Sequence, residues 1–295
     1  YKTRCEHCNG DATVKYFLWV KTCLCPSCGS PVSLFPGYRI AEAVRHPREV
    51  YHCPTCNRLQ ELNASKDPHC PTCNTRLKGN VRRGNAVCLT CHTTFSFAQH
   101  LATPPAHRLF AIEYQCTLCY PSIKGRQFKT PDSDDHRRVE IANMRLSADG
   151  EDIPDDRIPD GDETNRLLRW GYRRYREMFN SRQLVGLRTL LRLIREVPNE
   201  RNRHALATVF SDFLRYQNLL CRYDTYALKC QDIFAVHGFP VGLIVCENNL
   251  PGIPRVGSGS FIHFVEKFRK AKQYAQQPFE ILHDGKRKKV IPIIG

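Results

Sequence analysis

No run of this chain approaches the roughly 20 consecutive apolar residues needed to cross a bilayer, and no charged-then-apolar leader opens it. The expectation is a cytoplasmic chain with no membrane contact. Acidic residues are scarce, at 29 Asp/Glu against 44 Lys/Arg in 295 residues, which leaves a formal net charge of +15. The deficit is uneven. Residues 1–130 carry 17 Lys/Arg against 7 Asp/Glu, residues 131–163 carry 4 against 12, and residues 164–295 carry 23 against 10. Two basic bodies thus flank an acidic connector, and basic bodies of this size point to a polyanionic partner, nucleic acid before others. No acidic triad falls at the ends of convincing strands, so a nuclease or transposase fragment has no support. A hydrophobic share of 41% is ordinary. The chain therefore reads as globular, long enough for about two domains with a real core. It begins at Tyr1 rather than Met and stops after a strand-like "KVIPIIG", and both ends read as cuts in a longer polypeptide.

Cysteine, by contrast, is abundant. Of 16 cysteines, 12 fall in six Cys-x-x-Cys pairs: Cys5–Cys8, Cys25–Cys28, Cys53–Cys56, Cys70–Cys73, Cys88–Cys91 and Cys116–Cys119. Such a turn aims two thiolates at one point. Tetrahedral zinc takes four ligands, so two turns close a structural site with no open position. Taken in chain order, the pairs are separated by 16, 13 and 24 residues, room for a short hairpin or three-stranded ribbon each time. The simplest expectation is three consecutive sites holding about three zinc ions: Cys5, Cys8, Cys25 and Cys28; Cys53, Cys56, Cys70 and Cys73; Cys88, Cys91, Cys116 and Cys119. Interleaved pairing is the alternative. A disulfide scaffold does not suit a chain without a secretory leader. Redox Cys-x-x-Cys motifs occur singly at a helix start, whereas these recur among turn residues such as "CPSCGS", "CPTCN" and "CEHCNG". Closed sites of this kind fold a protein and do no chemistry. Cys23 reads as a strand residue, and Cys221, Cys230 and Cys246 as buried free thiols. His7, His52, His69 and His92 lie beside complete knuckles and read as exposed turn histidines.

Candidate phosphate contacts sit on two basic loops. "KGNVRRGNAVC" carries Lys78, Arg82 and Arg83, and "YPSIKGRQFKT" carries Lys124, Arg126 and Lys129. Residues 131–163 read as a surface linker with a short helix or strand around Val139–Leu146. Helical signals then dominate. Thr164 is a candidate cap for "NRLLRWGYRRYREMF", which mixes Arg173 and Arg174 with Trp170, Tyr172 and Tyr175. Asn180 or Ser181 caps "RQLVGLRTLLRLIREV", where Leu184, Leu187, Leu191 and Ile194 form one face and Arg188, Arg192 and Arg195 another. That arginine face suits either a phosphate backbone or solvent. A third helix is expected from about Arg203 to Cys221. "FPVGLIVCENN" reads as a buried strand that delivers Glu247, Asn248 and Asn249 to a surface or cleft. The Gly/Ser loop at Gly257–Gly259, followed by Ser260, reads as a cap and hinge for a helix in preference to an anion site. The candidate DNA-contact set is Arg82, Arg83, Lys124, Arg126, Arg173, Arg174, Arg188 and Arg192. The fold class is α+β: three tandem zinc ribbons over 1–130, an acidic linker over 131–163, and a mainly helical region with one or two strands over 164–295.

Several long stretches resemble the central part of the prokaryotic adenine-specific DNA methylases that contain a zinc ribbon. They are "IPDDRIPDGDETNRLLRWGYRRYREMFNSRQLVGLRTLL", "ALATVFSDFLRYQNLLCRYDTYALKCQDIFAVHGFPVG", "CENNLPGIPRVGSGSF" and the ribbon-like "WVKTCLCPSCGSPVSLF". The similarity covers most of the chain in collinear order, and its most specific parts are Phe179–Leu184 and Arg215–Asp224. It implies a Rossmann-like enzyme that transfers methyl from S-adenosylmethionine to the N6 amino group of adenine. It also implies a duplex DNA partner with the adenine flipped out, and further subunits of a modification or phage-defence system. Two motifs would carry that chemistry, and both are missing. The only Pro-Pro, at Pro104–Pro105, lacks an acid or amide before it and an aromatic after it, and the Gly257–Gly259 loop follows "IPRV". The resemblance places the donor loop before residue 1 and the Pro-Pro-Tyr motif after residue 295, so no residue here is assigned a catalytic role. The alternative is a non-enzymatic zinc-ribbon module that binds nucleic acid or a partner protein.

Overall fold

The computed structural model of this chain describes residues 1–97, 101–119, 126–148, 153–285 and 287–293. The first part is all β: β1 (Lys2–Arg4), β2 (Asp11–Leu24), β3 (Pro31–Ser33), β4 (Arg39–Ala41), β5 (Glu49–His52), β6 (Leu59–Leu62), β7 (Val81–Arg82), β8 (Asn85–Val87), β9 (Thr94–Ser96), β10 (Ala106–Gln115) and β11 (Gln127–Lys129). Helices then alternate with short strands: α1 (Ser133–Ala148), α2 (Asn165–Arg169), α3 (Ser181–Arg195), α4 (Glu200–Phe213), β12 (Arg222–Asp224), β13 (Lys229–Gln231), β14 (Ile244–Asn248), α5 (Phe261–Gln276), β15 (Phe279–Asp284) and β16 (Arg287–Pro292). Mixed α and β content with small antiparallel sheets is thus the observed architecture. Every strand pair among the described residues is antiparallel.

The organising element is β2, whose sequence DATVKYFLWVKTCL is rich in β-branched and aromatic residues that fit a pleated, buried surface. β10 runs antiparallel along one edge, with Leu109 opposite Trp19 and Gln115 opposite Thr13. Three short strands lie end to end along the other edge: β1 beside Ala12, β14 beside Leu18 and β3 beside Cys23. An extra residue, Lys15, breaks the register between Val14 and Tyr16. A bulge of this kind shifts the side-chain alternation by one. Val14, Phe17 and Trp19 therefore pack on one face with Leu109 and Ile112, while Tyr16, Leu18 and Val20 pack on the other with Phe110 and Cys246. Burial on both faces explains why β2 reads as a nearly continuous apolar run. β14 is the strand expected from "FPVGLIVCENN", and it bonds to β2 at the far end of the sequence, so the two basic bodies share one sheet.

α3 begins with a reciprocal cap: the Asn180 side chain accepts from the Gln183 amide, and the Gln183 side chain accepts from the Asn180 amide. Its Leu187 joins Val209, Phe213, Leu250 and Phe264 in the core formed with α4 and α5. The other helices depart from expectation. α2 stops at Arg169, because Gly171 turns the chain at φ +84° and a Cβ there would lie 2.4 Å from the Thr103 carbonyl carbon. Thr164 does not cap α2 with its side chain; its hydroxyl donates to the Pro159 and Gly161 carbonyls. α4 ends at Phe213, short of Cys221. α1 spans Ser133–Ala148, longer than the segment expected at Val139–Leu146. Its buried Asp135 accepts from Thr3 and pairs with Lys129 at 3.0 Å. Among the described residues no helix is long and apolar enough to cross a membrane.

Candidate metal centres

The 12 paired cysteines gather into three groups: Cys5, Cys8, Cys116 and Cys119; Cys25, Cys28, Cys88 and Cys91; Cys53, Cys56, Cys70 and Cys73. Within each group the Sγ atoms lie within 4.8 Å of one another. The middle group is the one expected from chain order. The other two correct that expectation, since the pairs nest: first with sixth, second with fifth, third with fourth. The cause is β2. At about 3.3 Å per residue, its 14 residues hold Cys8 and Cys25 roughly 45 Å apart. The antiparallel β10 returns Cys116, directly after Gln115, to the Cys8 end.

Five of the knuckles share one backbone design, while the Cys116 amide bonds the Gln127 side chain instead. The amide of the first cysteine bonds the carbonyl five residues on, as in Cys5 to Gly10, Cys25 to Ser30 and Cys70 to Thr75. The residue after the second cysteine sits in the left-handed region at Asn9, Gly29, Asn57, Asn74 and His92, where Gly and Asn are least strained. That recurrence accounts for the Asn and Gly following the cysteines in the sequence.

The donor set fits zinc. Sulfur pairs stand 3.7 Å (Cys5–Cys119), 3.6 Å (Cys8–Cys116), 3.6 Å (Cys25–Cys91) and 3.4 Å (Cys53–Cys73) apart. A disulfide requires about 2.05 Å, while four sulfurs about 2.3 Å from a central zinc define a tetrahedron with edges of about 3.8 Å. Each group also holds thiols of opposed character. The Thr75 hydroxyl and amide hold Cys73 down to about 6, and Thr93 does the same for Cys91. Burial pushes Cys53 up to about 12, and the bond from Cys8 with burial takes Cys119 to about 12. Four thiolates this close repel one another, and a central cation removes that penalty. Each group can therefore hold one metal ion, with four cysteine ligands among the described residues, as many as tetrahedral zinc takes.

The histidines beside the knuckles divide. His7, His69 and His92 are exposed: His7 in a turn, His69 in an isolated β-bridge with Arg76, and His92 in the left-handed position after Cys91. His52 is not. It is fully buried, stacked on Phe35 at 5.1 Å, and burial holds its imidazole down to about 3. Cys23 lies in β2, and Cys221, Cys230 and Cys246 are buried free thiols pushed up by burial.

Glu247, Asn248 and Asn249 do not reach a surface or cleft; they are buried at the end of β14. Glu247 receives Arg182 through two bonds (Nε 2.6 Å, Nη2 2.7 Å), Asn180 Nδ2 at 2.8 Å and Trp19 Nε1 at 2.8 Å. The Arg182 guanidinium stacks 3.6 Å from the Phe17 ring centroid. Asn248 donates to Ser258 O, Asn249 to Val14 O, and Gln217 to Gly259 O. A second buried pair, Lys15 with Glu113 at 2.6 Å, is closed by the Tyr223 hydroxyl at 2.6 Å. The Gly257–Gly259 loop leads into α5, where the Ser260 side chain makes no cap bond to the helix amides. The first amides of α5 bond Leu250 O and Pro251 O, and Gly259 lies against the Tyr216 ring, where a Cβ would approach to 2.3 Å.

Lys21 is completely buried, 2.9 Å from His107 Nε2 and 3.3 Å from the Tyr172 hydroxyl, and burial alone pulls its ammonium down to about 7. His107 is held well below 6.5 by burial and then by the Lys21 charge. An unfolded chain keeps this lysine protonated up to about 10.4. Between pH 7 and that value it binds more protons than the folded chain, so stability rises with pH across the window and is lost as pH falls towards 7. Lys21→Met should abolish this slope. Urea midpoints at pH 7 and pH 9.5, compared between the variant and the parent chain, measure it; parallel behaviour would contradict the assignment.

The candidate DNA contacts fall into separate sets. Arg188 and Arg192 line a groove of about 700 Å³ with Arg176 and Arg195, over an apolar floor that includes Phe179, Leu187 and Phe210. Arg173 and Arg174 line a different open surface with Arg157 and Arg169. Arg82 and Arg83 are exposed at the β7–β8 turn. Arg126 stands 3.9 Å from Glu113, and Lys124 lies outside the described residues. Comparison of the chain with protein-family models, with curated proteins and with solved structures found no match.

Proposed function

We propose that this chain is a segment of an S-adenosylmethionine-dependent DNA adenine-N6 methyltransferase of a prokaryotic modification or defence system. On this reading it works in the cytoplasm and supplies zinc-stabilised structure that grips duplex DNA, alongside further subunits. Each four-cysteine group holds one zinc ion, whose part is to tie the ends of β2, β10 and the intervening ribbons together. The donor loop, the Pro-Pro-Tyr motif and a Rossmann-like core belong to parts of the enzyme outside this segment.

One observation carries the reading. The stretches through which the sequence resembles the methylases meet at a single buried network: Asn180 and Arg182 from Phe179–Leu184, Trp19 from the ribbon-like stretch, and Glu247 from "CENN". Arg215–Asp224 adjoins it through Gln217, which bonds the loop that packs on Asn248. Residues scattered over more than two hundred positions share one structural task, as expected if the resemblance reflects a common fold. Arg192 of the groove is also within reach of phosphate. The Arg192–Glu196 pair is long, 3.9 Å, and exposed, and such pairs contribute little.

A second reading, a binding module without enzymatic activity, is favoured by the antiparallel pairing of every strand pair among the described residues. The two are separated by incubating the natural polypeptide that contains this segment with labelled S-adenosylmethionine and duplex DNA. Label at adenine N6 is the expected result; bound but unmethylated DNA supports the module.

A further inference from the structure

The C-terminal end of the described structure is an arm. α5 anchors itself through Phe264, which packs 6.2 Å from Phe213 and 5.8 Å from Tyr216. From Ala271 to Gln277 every residue is exposed. β15 and β16 then pair with each other alone, from Phe279 opposite Pro292 to Asp284 opposite Arg287. Every residue of both strands is exposed. The arm is braced at its base by the edge-on contact of Tyr274 with Phe279 at 5.3 Å. Two strands alone are marginal in water, so a ribbon in this position calls for a partner.

Its chemistry says which. Side chains directly opposite one another share a face. One face carries Ile281 and Val290 with His283 and Lys288 towards the tip; the other carries Leu282 and Lys289, with Glu280 opposite Ile291 and Asp284 opposite Arg287, so the ribbon's basic residues outnumber its acidic ones by three to two. Ile281, Leu282 and Val290 are about half exposed, on opposite sides of the ribbon. A protein surface would cover one side and leave the other in water. A slot with negative walls on both sides accommodates both. The major groove of B-DNA, about 12 Å wide and 8.5 Å deep, admits a two-stranded ribbon, and its walls are phosphates. Thymine methyl groups on its floor suit aliphatic side chains. Behind the ribbon, Arg269 and Lys270 are exposed on α5, which adds positive charge along the approach.

We propose that β15 and β16 form a DNA-binding arm that enters the major groove, with Arg287, Lys288 and Lys289 reaching the flanking phosphates and the aliphatic residues facing base edges. This rests on the DNA reading above. The test is fluorescence anisotropy of the whole chain with a labelled mixed-sequence duplex across a salt series. Replacing Arg287, Lys288 and Lys289 with Gln removes three charges, so the slope of log affinity against log salt should fall by about 2.7, and affinity at 0.15 M salt should drop on the order of a hundredfold. A second variant, Ile281→Thr with Val290→Thr, keeps strand propensity and should weaken binding to thymine-rich duplex at an unchanged salt slope. Both variants should keep their metal content, since the altered side chains are exposed. Parent and glutamine variant binding DNA alike would overturn the arm and leave the DNA reading standing. A parent chain that binds no DNA would overturn both. Concentration-dependent dimers lost in the Thr variant would assign the aliphatic faces to self-association, against the proposal.

Discussion

Removing the metal from all three centres with a strong chelator is expected to unfold the β half of the chain cooperatively. Structural zinc contributes about 10–16 kcal/mol of apparent binding energy in small folded modules at neutral pH, against a whole-domain stability of about 5–15 kcal/mol. The centre at Cys5, Cys8, Cys116 and Cys119 joins points 108 positions apart in the chain, and the one at Cys25, Cys28, Cys88 and Cys91 joins points 60 apart. The first closes the β2–β10 pair and the second ties the far end of β2 to the β7–β9 sheet, so their loss frees the strand to which β1, β3 and β14 are bonded. The far-ultraviolet circular dichroism of the β structure and the protection of β2 amides should be lost together, and return on adding back zinc. Retention of protected β2 amides in metal-free protein would show that the sheet needs no metal.

The second large effect is expected at Glu247. Its carboxylate is fully buried and Arg182 is 14% exposed, so the pair is almost cut off from water. Removing one partner of such a pair typically costs 3–5 kcal/mol, because the remaining charge keeps its desolvation penalty without compensation. Glu247→Gln should therefore lose about that amount in urea unfolding. Glu247→Met combined with Arg182→Met should lose less, since replacing both partners by apolar side chains is milder, although Asn180 and Trp19 then lose an acceptor. A double variant less stable than the single would show that the network and not the pair carries the energy. Glu247→Gln within 1 kcal/mol of the parent would contradict both accounts.

How much of this was legible in the sequence depends on the range of the interaction. Local signals were plain: the Cys-x-x-Cys turns, the cap at Asn180, and the strand in "FPVGLIVCENN". Each is fixed by residues within a few positions. The nested pairing was not legible from spacing, because 16 intervening residues suit a hairpin as well as a strand. The deciding information was in the content of that interval. "DATVKYFLWVKTCL" has no turn residue inside it, and "HRLFAIEYQ" before Cys116 is its antiparallel partner. Likewise, the fate of Glu247 depends on Arg182 and Trp19, 65 and 228 positions away. A carboxylate at a strand end reads as a candidate for a cleft until its partners are known. Gly171 broke the expected helix for a tertiary reason, the close approach of Thr103.

The nested metal framework is the claim on which the architecture rests, and zinc counting by native mass spectrometry tests it most directly. Cys8→Ser combined with Cys116→Ser disables one centre and should leave two zinc ions per chain. Cys8→Ser combined with Cys28→Ser disables two and should leave one. Pairing in chain order demands the reverse, one ion in the first variant and two in the second, and that result would contradict the account.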